Sequence, residues 1–263
     1  MLVRGLVFVL SIAWLGCGGS GNASECEGLT TEQCAEPDAG TPDGGEPDGG
    51  TPRPDSLVVD TAWLEEHLND PDVQLVDTRG SGYSASRIPG AIQLRPGDLA
   101  MTVDGIAAQI MPPSEAQPVL RAAGLQNETV AVVYGGPPEY DPSRVVWSLL
   151  YYRHGDVRYL DGGYAAWVDA GGEVDTEPPA VPASEYAIVG VNEELRATGD
   201  WVLEQLGDTP YDMPAIQSVD ARSSGEYAAG RIPNARSVNW TRNLGGGFLL
   251  PEEDLAALYE GFD

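Results

Sequence analysis

Cysteine and histidine are scarce in this sequence, and their absence excludes several kinds of chemistry. The three cysteines are Cys17, Cys26 and Cys34, so the chain after Cys34 has neither a thiol nor a disulfide. The two histidines, His67 and His154, stand alone, without the ligand spacing of a metal site. The motif G-x-S-x-G is also absent, and no Ser-His-Asp set is recognisable. The sequence therefore predicts no metal and no cofactor.

Positive charge is also in short supply. Lys and Arg total 14 against 41 Asp and Glu, which gives a formal net charge of −27. A surface of this sign repels phosphate backbones, so we expect no nucleic-acid partner, and the acidity favours solubility. The glycine run at residues 245–247 is not followed by the Lys of a phosphate-binding loop and predicts a hairpin or loop.

The N-terminus, MLVRGLVFVLSIAWLGCGG, has the pattern of an export signal. Arg4 precedes an apolar stretch that is too short to span a bilayer as a mature helix. The stretch ends in Leu-Gly-Cys17, which resembles a bacterial lipobox, although Trp14 is unusual three residues before the cysteine. We expect residues 1–17 to be a lipoprotein signal peptide, with Cys17 lipidated and the protein anchored in the cell envelope, periplasmic or on the outer membrane. An ordinary secretory signal is the alternative.

Residues 18–55 have the composition of a tether. From residue 36 the chain runs as near-repeats of five, EPDAG, TPDGG, EPDGG and TPRPD, with nothing to bury. Such a segment cannot offset its ordering entropy, so we interpret it as a flexible spacer. Cys26 and Cys34 form an even pair in an exported chain, which makes a disulfide plausible; two free thiols are the alternative.

From residue 57 the composition becomes globular, and one pattern occurs twice. VQLVDTRG is an apolar strand that ends in Asp77-Thr78-Arg79, followed by YSASRIPGAIQL. IQSVDARS ends in Asp220-Ala221-Arg222, followed by YAAGRIPNARSV. Shared D-x-R and R-I-P-x-A motifs in the same order indicate a tandem duplication. Strands that alternate with helices predict a parallel, doubly wound sheet.

These motifs carry a family resemblance. A strand ending in D-x-R, then an aromatic residue and an I-P-G-A motif, resembles the first signature of rhodanese-like sulfurtransferases. Arg87 and Arg231 stand where that family usually has His, and Asn234 replaces a glycine. YYRHGDVRYLDGGYAAWVDAGG resembles a second stretch of the family. The resemblance covers residues 57–172 and resumes from about residue 195.

The order of the motifs is similar to that of two-domain thiosulfate or 3-mercaptopyruvate sulfurtransferases. The resemblance implies tandem α/β domains, each a doubly wound parallel sheet with helices on both faces. We assign residues 56–180 to the first domain, called the first copy, and residues 181–263 to a partial second domain, the second copy.

Rhodanese chemistry, as the resemblance implies it, needs a thiolate in the loop between a central strand and a helix. The thiolate takes sulfur from a donor, holds it as a persulfide and passes it to an acceptor. Gly135 stands about where that cysteine belongs in the first copy. The rest of the loop has prolines without N–H groups and carboxylates that repel an anionic donor: Pro137, Pro138, Glu139, Asp141 and Pro142. The first copy is therefore expected to be catalytically silent.

The second copy matches only the beginning of the first. LPEEDLAALYEGFD aligns with PPSEAQPVLRAAGL, and residues 127–170 of the first copy have no counterpart. The expected catalytic cysteine and its loop fall in that missing part. We expect the sequence to be a fragment; the alternative is a short protein whose second half packs on the first. As written, the chain is predicted to have no catalytic residue and no sulfurtransferase activity.

Two arginines and two tryptophans complete the set of candidates. Arg222 and Arg231 are candidates to line a pocket for a small sulfur-containing donor, or else to hold the D-x-R turn. Trp63 and Trp201 occupy matching helix positions and are predicted to be core residues. A non-catalytic binding module tethered in the envelope, with a protein partner, is the second functional hypothesis. The sequence does not indicate an oligomeric state.

Overall fold

The structure is a computed structural model that describes residues 56–136, 140–177, 180–206 and 216–262. The predicted signal peptide, the tether and the three cysteines lie outside these ranges, as do Pro137, Pro138 and Glu139. The lipidation predicted for Cys17 and the disulfide predicted for Cys26 and Cys34 therefore stay predictions. No helix within the described ranges has the length and apolar character needed to cross a bilayer.

The first copy is built on a five-stranded parallel sheet. Its strands are β1 (Val58–Val59), β2 (Val73–Asp77), β3 (Ile92–Gln93), β6 (Val130–Tyr134) and β7 (Asp156–Leu160), in the order β1-β7-β6-β2-β3. β2 and β6 pair along their whole length, from Val73 opposite Val130 to Asp77 opposite Tyr134. A side hairpin is formed by β4 (Ala100–Val103) and β5 (Ile106–Ile110).

Helices cover both faces of this sheet. They are α1 (Thr61–His67), α2 (Ser81–Ala85), α3 (Pro113–Ala122), α4 (Asp141–Tyr151) and α5 (Gly163–Asp169). Side chains of β6 alternate between two cores: Val133 packs with Leu120 and Leu149, whereas Val132 packs with Leu64 and Trp167. A central strand buried on both faces reads as a continuous apolar run, as VAVVY does. The predicted doubly wound α/β fold is confirmed.

Local signals in the sequence explain where these elements begin. Asp60 caps α1 because its Oδ1 accepts the N–H of Trp63 at 2.8 Å. Pro142 lies in the first turn of α4, where its missing N–H costs nothing. Trp167 is buried, with its indole N–H donated to Glu173 O at 2.7 Å.

The second copy repeats the start of the first. It contains α6 (Gly199–Gln205), β8 (Val219–Asp220), α7 (Ser224–Ala229), β9 (Arg236–Ser237), β10 (Leu244–Gly245), β11 (Phe248–Leu249) and α8 (Glu252–Leu258). Asp220 pairs with Ser237 in parallel, as Asp77 pairs with Gln93 in the first copy. The glycine run forms the predicted hairpin between β10 and β11.

Two sequence predictions for the second copy need correction. Trp201 is 45% exposed, so its assignment as a core residue is wrong; Leu203, on the same helix, is 68% exposed. Among the described residues, apolar side chains do not cover Trp201 and Leu203 on α6. Trp63, the matching residue of the first copy, is partly buried against the core that contains Leu64 and Trp167. The strand predicted from residue 216 to 223 is shorter, since only Val219–Asp220 pairs.

The segment after α5 returns across the first copy before the second begins. Tyr186 is 1% exposed in the core that contains Leu120 and Leu149. Its carbonyl accepts from Arg121 Nε at 2.7 Å, and Ala187 exchanges hydrogen bonds with the side chain of Asn127. These contacts join the start of the second copy to α3 and to the segment that follows α3 in the first copy.

His154 is a buried structural residue within this packing. Its Nε2 lies 2.9 Å from Thr129 O, and its Nδ1 lies 3.2 Å from the Tyr186 hydroxyl. A carbonyl only accepts, so Nε2 carries the proton and Nδ1 accepts from Tyr186. Burial lowers the pKa of His154, and burial raises the pKa of Tyr186 to about 12. The site therefore favours a neutral imidazole.

Arg87 is the largest fully buried side chain in the described ranges, and only some of its N–H donors have hydrogen-bond partners there. Its Nη1 donates to Tyr83 O at 2.8 Å, and its guanidinium carbon lies 4.9 Å from the centre of the Tyr83 ring. Nε and Nη2 have no hydrogen-bond partner among the residues that the structure describes. The matching Arg231 lies 4.7 Å from the Tyr227 ring but is exposed.

Replacing His154 should change how stability depends on pH. Its folded-state pKa is lowered below the unfolded value of about 6.5, so the unfolded chain binds the proton more readily. Stability is therefore lost as the pH falls from above 6.5 toward the folded pKa. Urea unfolding of His154→Gln should show a smaller loss than the wild type between about pH 7 and pH 5. Parallel profiles for the two proteins would contradict this account.

Replacing Arg87 should cost little despite its complete burial. Arg87→Met removes two unsatisfied donors, which offsets the lost hydrogen bond and ring contact, so we expect a change within about 1 kcal/mol. Leu64→Ala, at an equally buried apolar site, should cost about 2–5 kcal/mol. Arg231→Met is the matched exposed control and should have no measurable effect. Denaturant unfolding measures all three; a loss at Arg87 as large as that at Leu64 would refute the argument.

Candidate active site

The carboxyl ends of β2 and β6 meet at the point where the strand order reverses. β3 lies on one side of β2, and the chain then crosses to β6 on the other side. Open α/β sheets place ligands at such a switch point. Thr78 joins the two strand ends, since its N–H and hydroxyl both donate to Tyr134 O, at 2.9 and 3.1 Å. Gly135 and the loop that follows β6 therefore start at a fixed place.

The D-x-R turn of the first copy is a closed ionic clamp. Arg79 Nη2 lies 2.6 Å from Asp77 Oδ2, Nε contacts both carboxylate oxygens, and the Arg79 backbone N–H donates to Oδ1 at 2.8 Å. Nη2 also donates to Ser86 O at 2.6 Å. The guanidinium carbon lies 3.6 Å from the Tyr164 ring centre and 5.7 Å from that of Tyr134. The Arg79 guanidinium is therefore occupied by contacts that connect the D-x-R turn to Ser86 and to Tyr164.

The second copy has the same clamp in a more open setting. Arg222 Nη2 lies 2.6 Å from Asp220 Oδ2 and 2.7 Å from Gly230 O. The hydrogen bonds from Arg222 lower the pKa of Asp220. The Arg222 side chain is 21% exposed, against 11% for Arg79. Arg222 thus holds its turn, and Arg231 stacks on Tyr227; lining of a donor pocket by either stays a prediction.

Gly135, at the position expected for a nucleophile, is packed too tightly for a side chain. A Cβ built there would lie 2.5 Å from Pro142 Cγ and 2.8 Å from Thr78 Oγ1. Atoms at these separations must shift. The Gly135 carbonyl accepts the N–H of Tyr164 at 2.9 Å. Sequence position alone pointed to Gly135 but did not show this confinement.

The D-G-G turn (residues 161–163) is built against the same loop. Gly162 and Gly163 have positive φ angles of 73° and 55°, a conformation that suits glycine. A Cβ on Gly163 would lie 2.6 Å from Gly135 O. Asp161 Oδ1 accepts from the N–H of Gly162 at 3.0 Å and from that of Leu249, in the second copy, at 2.9 Å. The motif alone did not indicate this bond to the second copy.

A cavity of about 480 Å³ opens beside this edge of the sheet. It is lined by Thr78, Gly80, Arg95, Pro96, Gly97, Asp98 and Asp141. The positive charge of Arg95 is paired with Asp98 at 2.8 Å, so the remaining charged group in the lining is the carboxyl group of Asp141. Burial raises the pKa of Asp141. This lining does not favour an anionic sulfur donor. Elsewhere in the described ranges, too, no three His, Cys, Asp or Glu side chains group as metal ligands would.

The residues of this edge therefore form a rigid scaffold that contains no nucleophilic thiol. Residues 56–263 include no cysteine. The two histidines do not reach this edge: His154 lies in the core beside Thr129 and Tyr186, and His67, at the end of α1, lies 2.7 Å from Asp70.

Known proteins share this architecture. A model of the rhodanese-like domain matches residues 60–170. The sulfur carrier protein TtuD of Thermus thermophilus is 31% identical over 224 residues, 78% of this chain and 77% of the relative.

Two solved structures show the same fold. SseA from Escherichia coli, from the 3-mercaptopyruvate sulfotransferases, superposes with a TM-score of 0.71 at 24% identity, over 78% of this chain and 83% of that one. The 3-mercaptopyruvate sulfurtransferase from Leishmania major gives 0.62 at 20% identity, over 80% of this chain and 62% of that one. The family resemblance predicted from the D-x-R and D-G-G motifs is confirmed: this chain belongs to the tandem rhodanese-like sulfurtransferases.

Proposed function

We propose that this chain is the scaffold of a sulfurtransferase that takes sulfur from thiosulfate or 3-mercaptopyruvate and carries it as a persulfide, and that residues 56–263 alone are inactive. The relatives support the donor class, since their names include a sulfur carrier protein and a 3-mercaptopyruvate sulfurtransferase. The two D-x-R clamps and the parallel sheet are the framework on which that family places its reactive loop.

The chemistry defines what such a scaffold must hold. A thiolate attacks the outer sulfur of thiosulfate; a new S–S bond forms, the donor S–S bond breaks, and sulfite leaves with the electron pair. An acceptor such as cyanide then attacks the outer sulfur of the persulfide, which releases thiocyanate and restores the thiolate. Both steps require a cysteine whose pKa is lowered by surrounding N–H groups.

The confinement of Gly135 is the observation that supports inactivity of the first copy. Its place in the loop after β6 is where the thiol belongs, yet no side chain fits there without movement of Pro142 or Thr78. Arg79, the cation of the D-x-R turn, is bonded to Asp77 and Ser86, and Arg95, which lines the cavity, is paired with Asp98. Residues 56–263 contain no thiol, and neither of these two cations is free for an anionic donor.

A non-catalytic binding module is the second candidate, and the aromatic cover of Arg79 favours it. The ring of Tyr164 lies over the guanidinium, and the Tyr164 hydroxyl lies 2.6 Å from Ser86 Oγ. These contacts stabilise the edge of the sheet as a permanent surface rather than a site that exchanges ligands. In this alternative the acidic surface and the silent loop contact a protein partner, and lipidated Cys17 holds the chain at the membrane.

The inactivity can be tested in the full chain. We expect neither the wild type nor a variant with Cys17, Cys26 and Cys34 replaced by Ser to form thiocyanate from thiosulfate and cyanide above the buffer blank. Gly135→Cys should also fail, and should lower the free energy of unfolding by about 1–3 kcal/mol through overpacking. Gly80→Cys is the control, because a Cβ at Gly80 meets nothing within 4 Å. Turnover by the cysteine-free variant would refute the proposal.

The lipid anchor can be tested in bacterial cells. Labelled palmitate should enter the wild-type protein and a Cys26→Ser variant equally, because only Cys17 follows the lipobox-like sequence. Cys17→Ser should lose the label entirely and leave the membrane fraction. Label retained by Cys17→Ser would show that the lipid is attached to another residue.

A further inference from the structure

The cavity beside the switch point of the first copy has a charge that sulfur chemistry does not use. Its volume of about 480 Å³ is within the range of sites that hold a small ligand. Three charged side chains line it: Arg95, Asp98 and Asp141. One positive and two negative groups leave one negative charge in excess, so the lining as a whole is anionic.

Arg95 and Asp98 neutralise each other and form one side of this cavity. They lie at the short 3-10 turn Pro96–Leu99. Arg95 Nη2 donates to Asp98 Oδ1 at 2.8 Å, and Asp98 Oδ2 accepts from the Arg95 backbone N–H at 2.8 Å and from Nε at 3.2 Å. Both carboxylate oxygens of Asp98 are therefore occupied, and the charge in excess belongs to Asp141.

The Asp141 carboxylate is the group that lacks a partner. It lies at the first position of α4, and among the residues that the structure describes its side chain has no hydrogen bond and no ion pair. Burial raises the pKa of Asp141, and a cation beside it would lower that pKa again. The helix dipole explains why an acid is tolerated at the start of α4. It does not supply a counter-charge on the side of the cavity.

The start of α4 is also unsuited to an anion. A helix N-terminus binds anions through its free N–H groups, but Pro142, the second residue of α4, has no N–H to donate. Thr78, which also lines the cavity, donates its hydroxyl proton to Tyr134 O at 3.1 Å, so its oxygen is left to accept. Apart from the paired Arg95, the side chains of this lining offer acceptors rather than donors.

A single free carboxylate suits an organic cation better than a metal ion. Calcium and magnesium require several oxygen ligands, and in the described ranges no three His, Cys, Asp or Glu side chains group in that way. A guanidinium presents a planar pair of N–H donors that matches the two oxygens of a carboxylate, and it is less strongly hydrated than an ammonium group. The chain uses this pairing itself, in Asp77–Arg79 and in Asp220–Arg222.

We propose that this cavity binds a guanidinium group, with Asp141 as its counter-charge and Thr78 Oγ1 as a further acceptor. The group belongs either to a small guanidino compound or to an arginine side chain of a partner protein, and the chemistry of recognition is the same. The net charge of −27 attracts either ligand to the chain. For an arginine of a partner protein the proposal rests on the binding-module alternative; for a small compound it stands apart from both proposed functions.

An amide NMR titration of the full chain with ethylguanidinium tests the site. The ligand should shift the amide signals of Gly80, Gly97 and the first turn of α4. Asp141→Asn should weaken this binding roughly tenfold, because a charge-assisted hydrogen bond is lost. Asp104→Asn is the matched control, since it removes the same charge from an exposed position in the β4–β5 turn, and Asn tolerates the positive φ of 50° there. It should leave binding unchanged.

Gly97→Phe keeps every charge and tests the cavity rather than the carboxylate. A Cβ on Gly97 meets nothing within 4 Å, so the variant should fold with an unchanged free energy of unfolding. The added ring fills the cavity, and the shifts caused by ethylguanidinium should disappear. Retained binding in Gly97→Phe would overturn the proposal.

A short peptide with one arginine and neutral ends separates the two sources of the group. Tighter binding of the peptide than of ethylguanidinium indicates a partner protein, and equal or weaker binding indicates a free compound; both outcomes support the site. Equal weakening by Asp141→Asn and Asp104→Asn would show only general attraction to an acidic surface and would contradict the proposal. Shifts of the same amides by thiosulfate would do so as well. Sulfur transfer is not measured, so the two proposals can fail independently.

Discussion

A buried carboxylate at the end of a parallel strand orders the edge of each copy. Asp77 is 0% exposed, and a buried charge of this kind is stable only when it is paired and hydrogen-bonded. Arg79 supplies both, and its free donor reaches Ser86 O, which fixes the loop that leads into the next strand. Asp220 and Arg222 repeat the arrangement with Gly230 in place of Ser86.

What differs between the copies is the cover over this clamp. In the first copy Tyr164, from α5, lies over the Arg79 guanidinium, and its N–H holds Gly135 O. Clamp, loop and D-G-G turn therefore form one connected unit. In the second copy the Arg222 side chain is about twice as exposed. The same D-x-R motif thus gives a closed framework in one copy and a more open one in the other.

The sequence was sufficient to predict the doubly wound sheet and the hairpin at the glycine run, because each depends on local periodicity or turn chemistry. It failed at Trp201, since burial depends on which other elements cover a helix face. It could not predict the Asp161–Leu249 hydrogen bond either, because those residues are far apart in the chain and only the tertiary fold brings them together. The confinement of Gly135 has the same origin, as its neighbours come from β2 and α4.

Sulfur transfer and the close packing of this edge place opposite demands on the loop after β6. A persulfide site needs room for a thiol and N–H groups that point inward toward it. In the first copy, the room at Gly135 is taken by Pro142 and Thr78, and the turn beside it faces Phe248 of the second copy. Gly163 is held within contact of Gly135 O, so the loop cannot widen without moving the D-G-G turn. The space that a thiol would need at Gly135 is therefore taken by Pro142 and Thr78 of the first copy itself, and the packing of this sheet edge leaves no room for catalysis.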